Sequence, residues 1–211
     1  ISSLDSVKSE VNSAHSEAQE INWEIVQSVP KETVVFTQGL EIYEDIIYES
    51  GGLYGQSSIR SFDVGSGIPL KSTNLSSELF GEGLTIYNDE IIVLTWKSGR
   101  VLRYSMEFIG NNESEIPGEG WGICSVNDRF AISDGSSKIT FRDPVNMLEI
   151  SSINVTLNGE LLDNINELEC VGEKIYANRW YDNRIFEIEI DSGIVTAFLD
   201  FSSLTEEYGS T

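Results

Sequence analysis

An internal repeat constrains the fold of this chain more than any other feature. Its first element reads Gly39-Leu40-Glu41-Ile42-Tyr43 and again Gly83-Leu84-Thr85-Ile86-Tyr87. Weaker copies stand at Gly120-Trp121-Gly122-Ile123-Cys124 and Asn166-Glu167-Leu168-Glu169-Cys170. A second element follows each, after a short strand and a turn. It reads Ser57-Ser58-Ile59-Arg60-Ser61-Phe62-Asp63, then Gly99-Arg100-Val101-Leu102-Arg103-Tyr104, Ser137-Lys138-Ile139-Thr140-Phe141 and Asn183-Arg184-Ile185-Phe186-Glu187-Ile188. Successive copies lie 37–46 residues apart, the length of one four-stranded propeller blade.

Between the copies, short runs of Ile, Val, Tyr and Phe alternate with Gly, Asn, Asp and Ser turns, and no long segment of helical period interrupts them. The expected fold is therefore all-β, a propeller over residues 22–211. Four copies cover residues 39 to about 204. The run Trp23-Glu24-Ile25-Val26-Gln27-Ser28-Val29 suits the N-terminal strand of a fifth blade whose C-terminal strands are missing. The reading is a five-bladed propeller with its last blade incomplete. Residues 1–21 read as a polar tail or short helix, because Leu4, Val7, Val11, Ala14 and Ala18 make only a thin apolar stripe.

Charge and residue inventory remove several function classes. The formal net charge of −22 opposes binding to nucleic acid or to anionic membrane surfaces. No apolar run reaches the roughly 18 residues that span a bilayer. The sole histidine, His15, lies in the polar N-terminal stretch, which leaves the body without a Ser-His-Asp triad, a Cys-His pair or an HExxH zinc site. Acid–base chemistry then falls to carboxylates, Lys or Tyr. Cys124 and Cys170 form no CxxC and hold equivalent places in neighbouring repeats. Equivalent positions on adjacent blades are expected to be too far apart for a bridge, so both read as buried free thiols.

Trp96 and Trp180 end the second strands of repeats two and four, and Trp121 opens repeat three. Equivalent positions face the same end of a propeller axis, so the three rings either converge on a pocket or serve as ordinary core aromatics. Glu82 stands between Gly81 and Gly83 at the start of repeat two. Near converging indoles it is a desolvated acid–base group; elsewhere it is a turn carboxylate in water. Gln38 holds the same place in repeat one, and Asn166 opens repeat four. Both suit the binding of an amide, and both suit turns.

Eight segments in order resemble the signature stretches of the plant- and bacterial-type glutaminyl-peptide cyclotransferases. They are Phe36-Thr37-Gln38-Gly39-Leu40, the stretch from Glu49 to Arg60, Phe80-Gly81-Glu82-Gly83-Leu84-Thr85, Leu94-Thr95-Trp96-Lys97, Glu119-Gly120-Trp121-Gly122, Ser133-Asp134-Gly135-Ser136, Asn166-Glu167-Leu168-Glu169 and Ala177-Asn178-Arg179-Trp180. The resemblance implies a five-bladed propeller with its site at one end of the central channel. It also implies Glu82 as the catalytic carboxylate and Phe36, Gln38, Trp96, Trp121, Asn166 and Trp180 as substrate contacts. In that family the chain continues past Ser202-Ser203-Leu204 into a segment that carries an active-site lysine and closes the last blade; nothing here matches it.

The implied reaction cyclises the N-terminal glutamine of peptides to pyroglutamate and releases ammonia, with no metal and no cofactor. The implied partners are peptides or proteins with N-terminal Gln, the expected state is a monomer, and the implied location is secreted or periplasmic. The rival readings are a non-catalytic propeller that binds peptide ends in the same pocket and a purely structural propeller.

Overall fold

The computed structural model describes residues 17–30 and 35–208. The chain enters through a two-residue strand, β1 (Gln19–Glu20). The first blade is β2 (Thr37–Tyr43), β3 (Ile46–Gly51), β4 (Ser58–Asp63) and β5 (Pro69–Asn74). The second is β6 (Gly81–Tyr87), β7 (Glu90–Thr95), β8 (Arg100–Ser105) and β9 (Gly110–Glu115). The third is β10 (Ile123–Val126), β11 (Arg129–Ser133), β12 (Lys138–Arg142) and β13 (Glu149–Asn154). A small hairpin, β14 (Thr156–Leu157) with β15 (Glu160–Leu161), leads to the fourth: β16 (Ile165–Val171), β17 (Lys174–Arg179), β18 (Arg184–Glu189) and β19 (Val195–Asp200). One short helix follows, α1 (Ser202–Tyr208).

Within each blade the strands are antiparallel and in sequence order. The repeated turns explain why. Glu44-Asp45, Asn88-Asp89 and Asn127-Asp128 join the first two strands of three blades, and both residues of each pair have positive φ. That is the primed turn whose twist matches a tight hairpin, and Asn and Asp tolerate it best among residues with a side chain.

The inner strands β2, β6, β10 and β16 stand around the axis, and successive blades pack over apolar clusters. Ile59, Leu84, Ile91 and Val93 join blades one and two; Ile92, Leu94, Ile123 and Phe130 join two and three; Phe141, Ile165, Ala177 and Phe186 join three and four. Near the axis the approach is closer than side chains allow. A Cβ on Gly39 would meet Leu84 N at 2.4 Å, one on Gly83 the Trp121 carbonyl at 2.6 Å, and one on Gly122 the Asn166 carbonyl at 2.2 Å. Glycine at these repeat positions lets each inner strand touch the next through backbone.

Four expectations are corrected. The described residues form four blades, not five. Residues 23–29 form no strand, and among the described residues no strand pairs with them. They cross from blade four to blade one instead: the Trp23 indole N–H donates to the Asp200 carbonyl (2.7 Å), its ring lies 4.7 Å from Phe201, and Gln27 Nε2 donates to the Gly65 carbonyl (3.0 Å). Gln19–Glu20, placed by sequence in the tail, pairs in parallel with β19; residues 1–16, including His15, lie outside the described residues. The cysteines are not free thiols: Cys124 and Cys170 form a disulfide with Cα atoms 5.5 Å apart. The distance argument failed because these residues lie on inner strands, where Gly122 already sets β10 against the backbone of β16.

Candidate active site

One irregularity recurs at the start of three inner strands. The register with the second strand shifts by one residue between Thr37 and Gly39, between Gly81 and Leu84, and between Ile165 and Leu168. Each is a bulge, which breaks the alternation and re-aims a side chain. Gln38 occupies the first, Glu82 the second and Asn166 the third. Buried hydroxyls of the preceding blade hold two of these residues by their backbones. Ser50 donates to the Glu82 carbonyl, and Ser133 donates to the Asn166 carbonyl at 2.6 Å.

The tryptophans follow an equivalent rule. Just past the second strand, the Trp96 amide donates to the Phe80 carbonyl (3.0 Å) and the Trp180 amide to the Asn164 carbonyl (2.9 Å); Gly52 makes the same bond to Phe36 in blade one (2.8 Å). Trp121 enters from the segment before β10, its amide bonded to the Ser133 carbonyl at 3.0 Å.

These residues line one cavity of about 140 Å³ at the end of the axis: Phe36, Gln38, Glu82, Trp96, Trp121, Asn166 and Trp180, with Phe80. All seven residues singled out by sequence are brought together. Trp121 and Trp180 meet edge to face at 5.6 Å, and Phe80 lies 5.3 Å from Trp96. Trp180 and Phe36 are about half exposed and form the rim, whereas Glu82 is 6% exposed. Burial, then the nearby Glu119 carboxylate, raises the Glu82 pKa to about 8.

Sequence reasoning missed three participants. Phe80 precedes the bulge as Phe36 does in the first repeat, so aligning the repeats would have found it. Glu119 accepts hydrogen bonds from the indole N–H groups of both Trp96 (2.7 Å) and Trp121 (3.0 Å); its one signal was the need of two part-buried indoles for an acceptor. Glu167, next to Asn166, turns its carboxyl to the axis, where a Cβ on Gly83 would meet its Oε2 at 2.5 Å. Both of its oxygens are buried. Burial drives its pKa well up; the Leu40 amide opposes this, and Glu82, Glu169 and Glu41 reinforce it. Glu41, which accepts from the Ile86 amide at 3.0 Å, is raised to about 7, chiefly by burial.

The fold and the site together define a β-propeller with an aromatic-walled pocket, closed at its base by a protonatable carboxylate, on the propeller axis. The profile of the family described as glutamine cyclotransferase matches residues 2–211, and the chain belongs to that family. A curated relative, the glutaminyl-peptide cyclotransferase of Arabidopsis thaliana, is 29% identical over 186 residues, which cover 86% of this chain and 58% of the relative. The chain thus spans under two thirds of that relative's length. The crystal structure of Myxococcus xanthus glutaminyl cyclase superposes with a TM-score of 0.81 at 32% identity, over 87% of this chain and 78% of that one. A Bacteroides caccae protein of unknown function shares the fold alone, with a TM-score of 0.56 at 14% identity.

Proposed function

We propose that this protein converts the N-terminal glutamine of peptides to pyroglutamate and releases ammonia. The observation that carries the reading is the axial cavity, which surrounds one buried carboxyl, Glu82, with three indoles and two amide side chains. The names of the Arabidopsis and Myxococcus relatives support it.

In the reaction the α-amine attacks the side-chain carboxamide carbon, the new C–N bond closes the ring, and the old C–N bond breaks. The amine must give up a proton and the leaving nitrogen must gain one. Glu82 as carboxylate accepts the first and returns it to the second, so ammonia leaves and the carboxylate is restored. Its pKa, raised to about 8 chiefly by burial, suits it both to accept a proton and to return it near neutral pH. Trp96, Trp121 and Trp180 hold the glutamine side chain against the amine and exclude water. Gln38 and Asn166 supply amide donors for the carbonyl oxygen as it gains charge. This route uses no metal. The Cys124–Cys170 disulfide supports a secreted or periplasmic location, where thiols are oxidised.

The test is incubation of the full-length protein with a Gln-initiated peptide and with the same peptide initiated by Ala. The expected result is ammonia and a blocked N-terminus from the first only. Binding without ammonia would instead support the non-catalytic peptide-binding reading.

A further inference from the structure

Glu119 does two things at once, and neither is required by the fold. It lies between Gly118, whose φ is +83°, and Gly120, whose amide bonds to the Trp96 carbonyl at 3.1 Å. This local path turns its side chain toward the cavity wall. One carboxylate oxygen, Oε2, takes both indole N–H groups, Trp96 from blade two and Trp121 from blade three. An indole nitrogen is a donor only and needs a single neutral acceptor; a backbone carbonyl or an amide oxygen would satisfy it. A carboxylate here adds charge beside Glu82, where charge has a functional consequence. The groups that face Glu82 are few: Glu119 from the segment before β10, and Glu167 from β16. Lys97 sits over the Trp96 ring at 4.1 Å from its centroid.

We infer that Glu119 is a positioning residue of the cyclisation site, clamping the Trp96 and Trp121 indoles across the blade boundary and placing a carboxylate in the wall of the cavity that holds Glu82. The inference rests on the proposed function for its kinetic consequences and on geometry for the rest. Glu119 does not touch the reacting atoms in this account; it acts through the two indoles and through Glu82. Burial does most to favour the protonated form of Glu82, and the Glu119 carboxylate adds to it.

The test separates the clamp from the charge with two variants of the full-length protein. E119Q keeps an oxygen that accepts from both indoles and removes the charge. E119A removes both. The Glu82 carboxyl is titrated by carbon-13 NMR without peptide, assigned by its loss in E82Q, and the indole N–H resonances are read in the same samples. Kinetics with a Gln-initiated peptide give kcat and KM against pH. In E119Q the Glu82 midpoint and the pH dependence of kcat should both move to lower pH, with KM within about twofold and the indole resonances in place. In E119A the indole N–H resonances should shift and kcat/KM should fall by about 10²-fold, the scale of a misplaced substrate. A Glu82 midpoint unchanged in both variants, or E119A with wild-type kcat/KM, overturns the inference. Wild-type protein that releases no ammonia overturns the cyclase reading instead; the carboxyl midpoint and the indole resonances then decide the role of Glu119 by themselves.

Discussion

At the scale of single residues, the molecule concentrates carboxyls on the inner strands near its axis. Glu41, Glu82, Glu167 and Glu169 all have raised pKa values, in each case first through burial. In the unfolded chain they titrate near ordinary glutamate. Between that value and their folded values the native state binds more protons, so stability is full at the acid end and declines as pH rises. The melting temperature should therefore fall from about pH 5 to pH 8.5, as Glu41 near 7 and Glu82 near 8 lose their protons. Glu167 should add to this, because burial drives its pKa well up. E167Q should match wild type near pH 5 and melt higher at pH 8; a lower melting point at pH 8 would show that an ionised Glu167 is stabilised in a way this account lacks. The same proton affinities set activity. The productive form needs a neutral amine and an ionised Glu82, so kcat/KM should rise with pH until about 8. A profile flat from pH 6 to 9 would remove Glu82 from the proton path.

At the scale of elements, the starts of the inner strands carry the design. The bulges at Gln38, Glu82 and Asn166 turn into the cavity residues that regular alternation would send to a sheet face. The glycines beside them permit backbone contact between blades. G122A should be severely destabilising, because its Cβ would collide with the Asn166 carbonyl and the Glu167 Cα, which are backbone and cannot rotate away. A variant melting within a degree of wild type would show that β10 can step back. The Cys124–Cys170 bridge ties the same two strands and closes a loop of 46 residues. The C124S/C170S double variant should lose about 2–4 kcal/mol of unfolding free energy. A thiol titration of the unfolded, unreduced protein should find none; two free thiols would contradict the bridge.

At the scale of the whole molecule, what the sequence revealed depended on repetition. The repeat located the inner strands and brought Gln38, Glu82, Trp96, Trp121, Asn166 and Trp180 into view, because a propeller sends equivalent positions to one end of the axis; Phe36 came from the family resemblance. Features made once were harder to read. Glu119 was passed over because its partners are side chains of two different blades, and Glu167 looked like any strand residue until Gly83 proved to be its neighbour. The path of residues 23–29 was misread because its apolar residues suit a strand, whereas strand formation depends on a partner the local sequence cannot supply. The disulfide was missed because spacing along the chain says nothing of how far inner strands converge.

The net charge of −22 is also a property of the whole. Unscreened, it works against compaction, so raising salt from about 0.02 to 0.5 M, which shortens the screening length severalfold, should raise the melting temperature. A melting temperature that falls with salt would mean that the surface ion pairs outweigh the net repulsion.

The most direct test of the central claim is the steady-state kinetics of E82Q with a Gln-initiated peptide, in the full-length protein. The Gln side chain keeps the shape of the cavity and removes the proton carrier. The account predicts that kcat falls by about 10²–10⁴, the range for losing an acid–base group, while KM stays within about threefold because the indoles are untouched. Wild-type kcat in E82Q would contradict it, leaving Glu82 a buried carboxyl with no part in the chemistry.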